Sequence, residues 1–116
     1  MVNSILETLK FPSVYRLRRR KEFNETWNRG KKYHTDHFIV IILENKLGPT
    51  RLGITASRKV GGAVQRNRVK RLLREVFRTN YPVLKHPVDF SIIAKKGSTS
   101  LTYEEVQSEI KHLLTG

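Results

Sequence analysis

From Gly61 to Pro82 the chain reads GGAVQRNRVKRLLREVFRTNYP, with five arginines, one lysine and a single acid, Glu75. Arginine presents a planar fork of donors that suits bidentate contact with phosphate or guanine better than the point charge of lysine does. On a helix advancing ~100° per residue, Val69, Leu72, Leu73, Val76 and Phe77 share one stripe. Asn67, Arg71, Arg74 and Arg78 fall together on the opposite side, with Arg68 and Lys70 on its flanks. At ~1.5 Å rise per residue the polar row is roughly 16 Å long. A solvated charged face usually mixes signs at i,i+4, which stabilises it by a few tenths of a kcal/mol per pair. This row holds no acid, so the pattern points to a helix with one face in a core and the other against a polyanion.

The rest of the composition agrees. The 116 residues include 23 Lys plus Arg against 10 Asp plus Glu, a net charge of +13 that costs folding energy by self-repulsion and suits an anionic partner, nucleic acid above all. Sixteen of those 23 cations lie in two segments, Arg16–Lys32 and Arg58–Arg78, where a charge kept only for solubility would be spread more evenly. No apolar run approaches the ~20 residues of a membrane span, and the start MVNSILETLKFPSVY lacks the basic and apolar order of a secretory signal. There are no cysteines, hence no disulfide and no thiolate metal site. The expectation is a cytoplasmic protein with no membrane partner.

The elements that must position the basic row follow from periodicity. A first helix is expected at about Arg19–Arg29, stopped by Gly30 in the left-handed position after a helix end, with Phe23 and Trp27 four apart on one face. Tyr33–Leu43, rich in β-branched and aromatic residues, reads as one strand buried on both sides. Lys46–Thr50 reads as a turn. Arg51–Ser57 alternates, with Leu52, Ile54 and Ala56 on one face and Arg51, Gly53, Thr55 and Ser57 on the other. The central helix should follow Gly61–Gly62 and end before Tyr81–Pro82, because the residue preceding proline disfavours helical geometry. Val88–Lys95 alternates again. Thr102-Tyr-Glu-Glu105 is a capping box, and Val106, Ile110, Leu113 and Leu114 form the buried stripe of a last helix. The order is α-β-β-α-β-α, an α+β fold in a small two-layer sandwich. Residues 1–116 form a single domain, with 1–14 a loosely held arm.

The stretch KVGGAVQRNRVKRLLREVFR resembles the signature of the protein subunits of bacterial ribonuclease P, an Arg-Asn-Arg core within a basic helix. The resemblance runs through nearly the whole chain, from Arg16-Leu17 through Phe38, the Arg51-Leu-Gly-Ile strand and Ile92-Ile-Ala-Lys-Lys96 to Leu101-Thr-Tyr-Glu-Glu105. It implies a mixed sheet with a left-handed β-α-β crossover, where default chirality would be right-handed. It also implies a protein cofactor of a ribozyme that removes the 5′ leader from precursor tRNA. Partners would be the catalytic RNA and precursor tRNA; the cofactor would be Mg2+ held mainly by the RNA, with no organic cofactor. Carried over by motif, Lys59, Arg66, Asn67, Arg68, Lys70, Arg71 and Arg74 would contact the catalytic RNA. The leader would lie between the first helix and the open sheet face, on Phe23 and Trp27, with strand alternation adding Ile39, Ile41 and Thr55.

From the residues alone Phe23 and Trp27 serve equally as core anchors or as a stacking wall, the latter suited to single-stranded RNA because every base has a π face. Two positions depart from the family pattern: Ile41, where a tyrosine is frequent, and Gly62, where a polar residue is. An autonomous nuclease needs clustered carboxylates for magnesium. The only aspartates, Asp36 and Asp89, stand apart, and His34 and His37 would fall on opposite faces of one strand. No catalytic residue and no metal site are therefore expected in the protein. A general RNA-binding module remains the competing reading from charge alone.

Overall fold

The computed structural model of the chain describes residues 20–45, 50–80 and 88–115. The expected N-terminal arm, the Lys46–Pro49 part of the turn and the Tyr81–Pro82 helix stop lie outside the described residues. Helix α1 is Arg20–Arg29, strands β1, β2 and β3 are Lys31–His34, Phe38–Glu44 and Arg51–Thr55, helix α2 is Ala63–Asn80, and β4 is Val88–Ala94. A short 3-10 turn, Ser98–Ser100, then leads to helix α3, Tyr103–Thr115. The expected order holds, with the first strand divided in two.

That division corrects the reading of Tyr33–Leu43 as one strand. β1 and β2 form an antiparallel hairpin with Tyr33 opposite Val40 and His34 opposite Ile39. The bend at residues 35–37 is tied to a distant carboxylate. The Thr35 hydroxyl, the His37 backbone N–H and the His37 ring all reach Glu109 of α3. Burial alone would oppose ionisation of Glu109, but these hydrogen bonds outweigh it and hold the carboxyl below its ordinary pKa. His34 and His37 therefore belong to a strand end and a turn, not to two faces of one strand.

The sheet runs β1-β2-β4-β3, with β2 antiparallel to β4 and β3 parallel to β4. One face carries the core: Phe38, Val40, Leu52, Phe90, Ile92 and Ala94 meet Val69, Leu73, Val76 and Phe77 of α2 and Val106, Ile110 and Leu114 of α3. The Phe77 and Phe90 rings meet edge-on at 5.7 Å, the arrangement that places a ring's positive edge on its neighbour's negative face. The Thr102 box forms as expected: the Thr102 N–H donates to Glu105 Oε1 at 2.9 Å and the Glu105 N–H to Thr102 Oγ1 at 3.2 Å.

Helix α1 sits on the other face, against β2 and β4. Its entry into β1 requires Gly30, for a reason other than the expected left-handed backbone. Among the described residues only Gly97 has a positive φ. A Cβ on Gly30 would instead lie 2.6 Å from Ile41 Cγ2 and 2.6 Å from the Thr26 carbonyl oxygen, inside van der Waals contact. The glycine is there so that the chain can pass directly over the sheet.

Candidate nucleic-acid interface

The basic row stands where its periodicity puts it. Val69, Leu73, Val76 and Phe77 are buried, and Asn67 and Arg71 are exposed on the far side. Lys70, Arg74 and Arg78 are half-buried. Arg78 pairs with Glu75 one turn earlier. Arg68 donates from NH1 to the Thr99 carbonyl at 2.9 Å, which fixes its side chain against the turn before α3 and leaves further guanidinium donors. Arg66 is half-buried, and its Nε is withdrawn from solvent without a hydrogen-bond partner among the described residues.

The approach to α2 adds cations. Arg58 and Lys59 are exposed on a turn closed by the Val60 N–H to the Ser57 carbonyl at 3.0 Å, with Val60 anchored in the core. Helix α2 has no acid in its first turn, so its positive dipole end and these cations reinforce one another. Gly62 precedes the first helical residue, and the Gln65 side chain reaches back to its N–H at 3.0 Å, half of a capping box without a side-chain hydroxyl to complete it. Space beside Gly62 is open.

On the other side of the sheet, Phe23 is half-buried and Trp27 is 45% exposed. Lys32 of β1 lies over the Trp27 ring, Nζ 4.7 Å from its centroid, and also donates to the Trp27 carbonyl at 2.6 Å. Sequence reasoning had left Lys32 out of this site. Ile39 and Thr55 belong to one row, His34–Ile39–Ile93–Thr55, running across all four strands. Of these His34 and Thr55 are exposed, and Ile39 and Ile93 half-buried. His34 and Ile93 had been missed, although strand alternation carries the signal: if Phe90, Ile92 and Ala94 point into the core, Asp89, Ser91 and Ile93 point the other way. Ile41 is a correction. It is 0% exposed, with Gly30 passing directly over it, and has no surface to offer a ligand.

Beneath α1 lies an ionic cluster that spacing did not reveal. Arg51 donates from Nε to Asp89 Oδ1 at 3.0 Å and from NH2 to Asp89 Oδ2 at 2.8 Å, while NH1 reaches Glu22 of α1 at 2.6 Å. Asn45 Nδ2 adds a bond to Asp89 Oδ1 at 2.9 Å. The hydrogen bonds to Asp89 raise the Arg51 pKa against the opposing effect of burial, and Glu22 adds to the rise. Among the described residues Glu22, Glu25, Glu75, Asp89, Glu105 and Glu109 are engaged by arginine, histidine or a helix terminus, and no group of three or more His, Asp or Glu is placed to hold a metal ion. Nor, among those residues, is any helix long and apolar enough to cross a membrane.

The Ribonuclease P family profile matches residues 11–116. This chain belongs to the ribonuclease P protein family. Similar curated proteins are the ribonuclease P protein component of Syntrophus aciditrophicus, 43% identical over 95% of this chain and 92% of that protein, and that of Desulfovibrio desulfuricans, 45% identical over 89% and 82%. Among solved structures, the RNase P protein of Thermotoga maritima matches with a TM-score of 0.78 at 33% identity, covering 86% of this chain and 94% of that one. The RNase P protein of Staphylococcus aureus matches with a TM-score of 0.78 at 31% identity, over 86% and 92%. Ribonuclease P membership accounts for the α+β order and the mixed sheet together.

Proposed function

We propose that this chain acts in ribonuclease P as the protein cofactor of tRNA 5′ processing, with α2 laid on the catalytic RNA and the α1–sheet face turned to the 5′ leader of precursor tRNA. One observation carries the reading: a family member whose long helix buries its aliphatic stripe and turns outward a row of Asn67, Arg71 and Arg74 flanked by Lys70, with Lys59 beside its start. Guanidinium groups there neutralise phosphates and release counterions, which is the sequence-independent part of nucleic-acid affinity. Arg68, already oriented by Thr99, flanks that face, and Arg66 adds charge near the helix start.

On the opposite side the exposed Trp27 edge and the Ile39–Ile93–Thr55 row offer an apolar, stackable strip beside the Lys32 cation and the exposed His34. Such a strip tolerates any leader sequence. Among the described residues no carboxylate cluster fits a magnesium site, so this reading leaves the metal of phosphodiester hydrolysis to the RNA, and the protein's part is to neutralise charge and orient substrate. The test is cleavage of precursor tRNA by the partner RNA at low magnesium, with and without the protein. Strong stimulation is expected. No stimulation, or equal affinity for unrelated RNAs without leader dependence, would favour a general RNA-binding module instead.

A further inference from the structure

The leader face depends on where α1 stands over the sheet, and α1 has little apolar surface with which to fix itself. Thr26 is its only buried residue, and its Oγ1 donates back to the Glu22 carbonyl at 2.8 Å. Among the described residues two side chains of the sheet reach across to the helix: Lys32, which holds its last turn at Trp27, and the Arg51 guanidinium, which holds its first turn at Glu22. The Nε and NH2 of Arg51 are committed to Asp89, its neighbour in the parallel ladder, and Asp89 is 6% exposed and further held by Asn45. The cation is therefore fixed to the sheet whatever α1 does. Its remaining arm, NH1, takes hold of Glu22, one residue before Phe23 and five before Trp27.

We propose that Arg51, acting through Glu22, is a positioning residue for leader recognition: the clamp sets the height and rotation of α1 and so the placement of Phe23 and Trp27. The proposal rests on the leader reading above. Arg51 does not itself reach the strip. It stands four residues from Thr55 on β3, about 13 Å at ~3.3 Å per residue, with all three guanidinium nitrogens occupied by protein. Any effect on RNA passes through the helix. A hydrogen-bonded ionic contact is also directional, which an apolar patch is not, and so fixes orientation as well as distance.

Trp27 is the only tryptophan of the chain, so its fluorescence reports α1 directly. Glu22→Ala releases the helix while leaving Arg51 on Asp89, and Glu22→Gln keeps a neutral acceptor. Holoenzymes assembled with each variant, and with Trp27→Ala, are to be compared for affinity toward precursor and mature tRNA, alongside acrylamide quenching of Trp27 and circular dichroism to match the folded fraction. Glu22→Ala is expected to raise quenching and lower the precursor-to-mature affinity ratio about fivefold, the equivalent of one lost base stack. Glu22→Gln should fall between it and the parent, with affinity for the catalytic RNA unchanged in both. If Trp27→Ala lowers the ratio and neither Glu22 variant does, the positioning role is overturned while the leader reading stands. If Trp27→Ala leaves the ratio unchanged, the leader reading itself fails and the proposal goes with it.

Discussion

Helix α2 buries Val69, Leu73, Val76 and Phe77 on one side of the sheet, whereas α1, on the other side, buries only Thr26 and is joined to the strands by polar contacts, Arg51 on Glu22 and Lys32 on the Trp27 carbonyl. Each of the four apolar side chains of α2 stabilises the fold by roughly 1.5–3 kcal/mol. The ionic attachment of α1 contributes far less net energy, since desolvation offsets much of its Coulomb attraction. Anchored by carbon, α2 keeps Asn67 and Arg71 exposed on its polar side. Anchored by charge, α1 gains direction more than strength. The two proposed RNA surfaces should therefore respond differently to the same perturbation.

The largest contrast is expected from Leu73→Ala. Emptying that fully buried site should cost about 2–5 kcal/mol, read by urea unfolding, and should remove both RNA surfaces together because the core is shared. A loss under ~1 kcal/mol would mean that α2 is not core-anchored. Gly30→Ala comes next. Its Cβ must displace Ile41 or the Thr26 carbonyl, at a cost of roughly 1–3 kcal/mol, and the displacement should disturb α1 while catalytic-RNA affinity per folded molecule stays constant. An equal fall in that affinity would break the separation of the two regions.

Arg71→Ala should leave stability within ~0.5 kcal/mol and reduce the slope of log affinity for catalytic RNA against log salt by about 0.7–0.9, one phosphate contact. An unchanged slope would remove Arg71 from the interface. The smallest effect concerns Glu109. Its folded pKa lies below its unfolded value, so the stability it contributes is present above the ordinary carboxylate range and is lost as pH falls through the folded pKa. Melting temperature followed from pH 7 toward pH 3 should decline less steeply in Glu109→Gln than in the parent. Because this carboxylate holds the hairpin that carries Lys32 against the Trp27 ring, acid should raise Trp27 quenching before it alters α2.

Legibility in the sequence follows the same division. Helices α2 and α3 could be read because their information is local: a 3.6-residue apolar period, and a capping box closed within four residues. The basic row needed nothing more. The hairpin was harder to read: its bend is closed locally by Thr35 and Phe38, but Thr35-Asp36-His37 carries no glycine or proline to mark it within an otherwise apolar run, and the carboxylate that secures it, Glu109, lies more than 70 positions away. Gly30 was recognised as special for the wrong reason, its true constraint being a side chain eleven residues on that packs beneath it. Ile41 was assigned to the correct face by alternation, but alternation cannot tell which part of a face a helix will cover. Arg51, Asp89 and Glu22 looked like ordinary surface charges until the fold placed them on three adjoining elements.

The parallel pairing of β3 with β4 has a consequence for synthesis. Because α2 is the bridge between those two strands, its aliphatic stripe has no complete seat until residues 88–94 have emerged from the ribosome, and α3 must follow to cover the rest. A nascent chain thus keeps its cation-rich helix unsettled until β4 and α3 have been made, and the ordered display of that charge waits on strands and a helix translated after it.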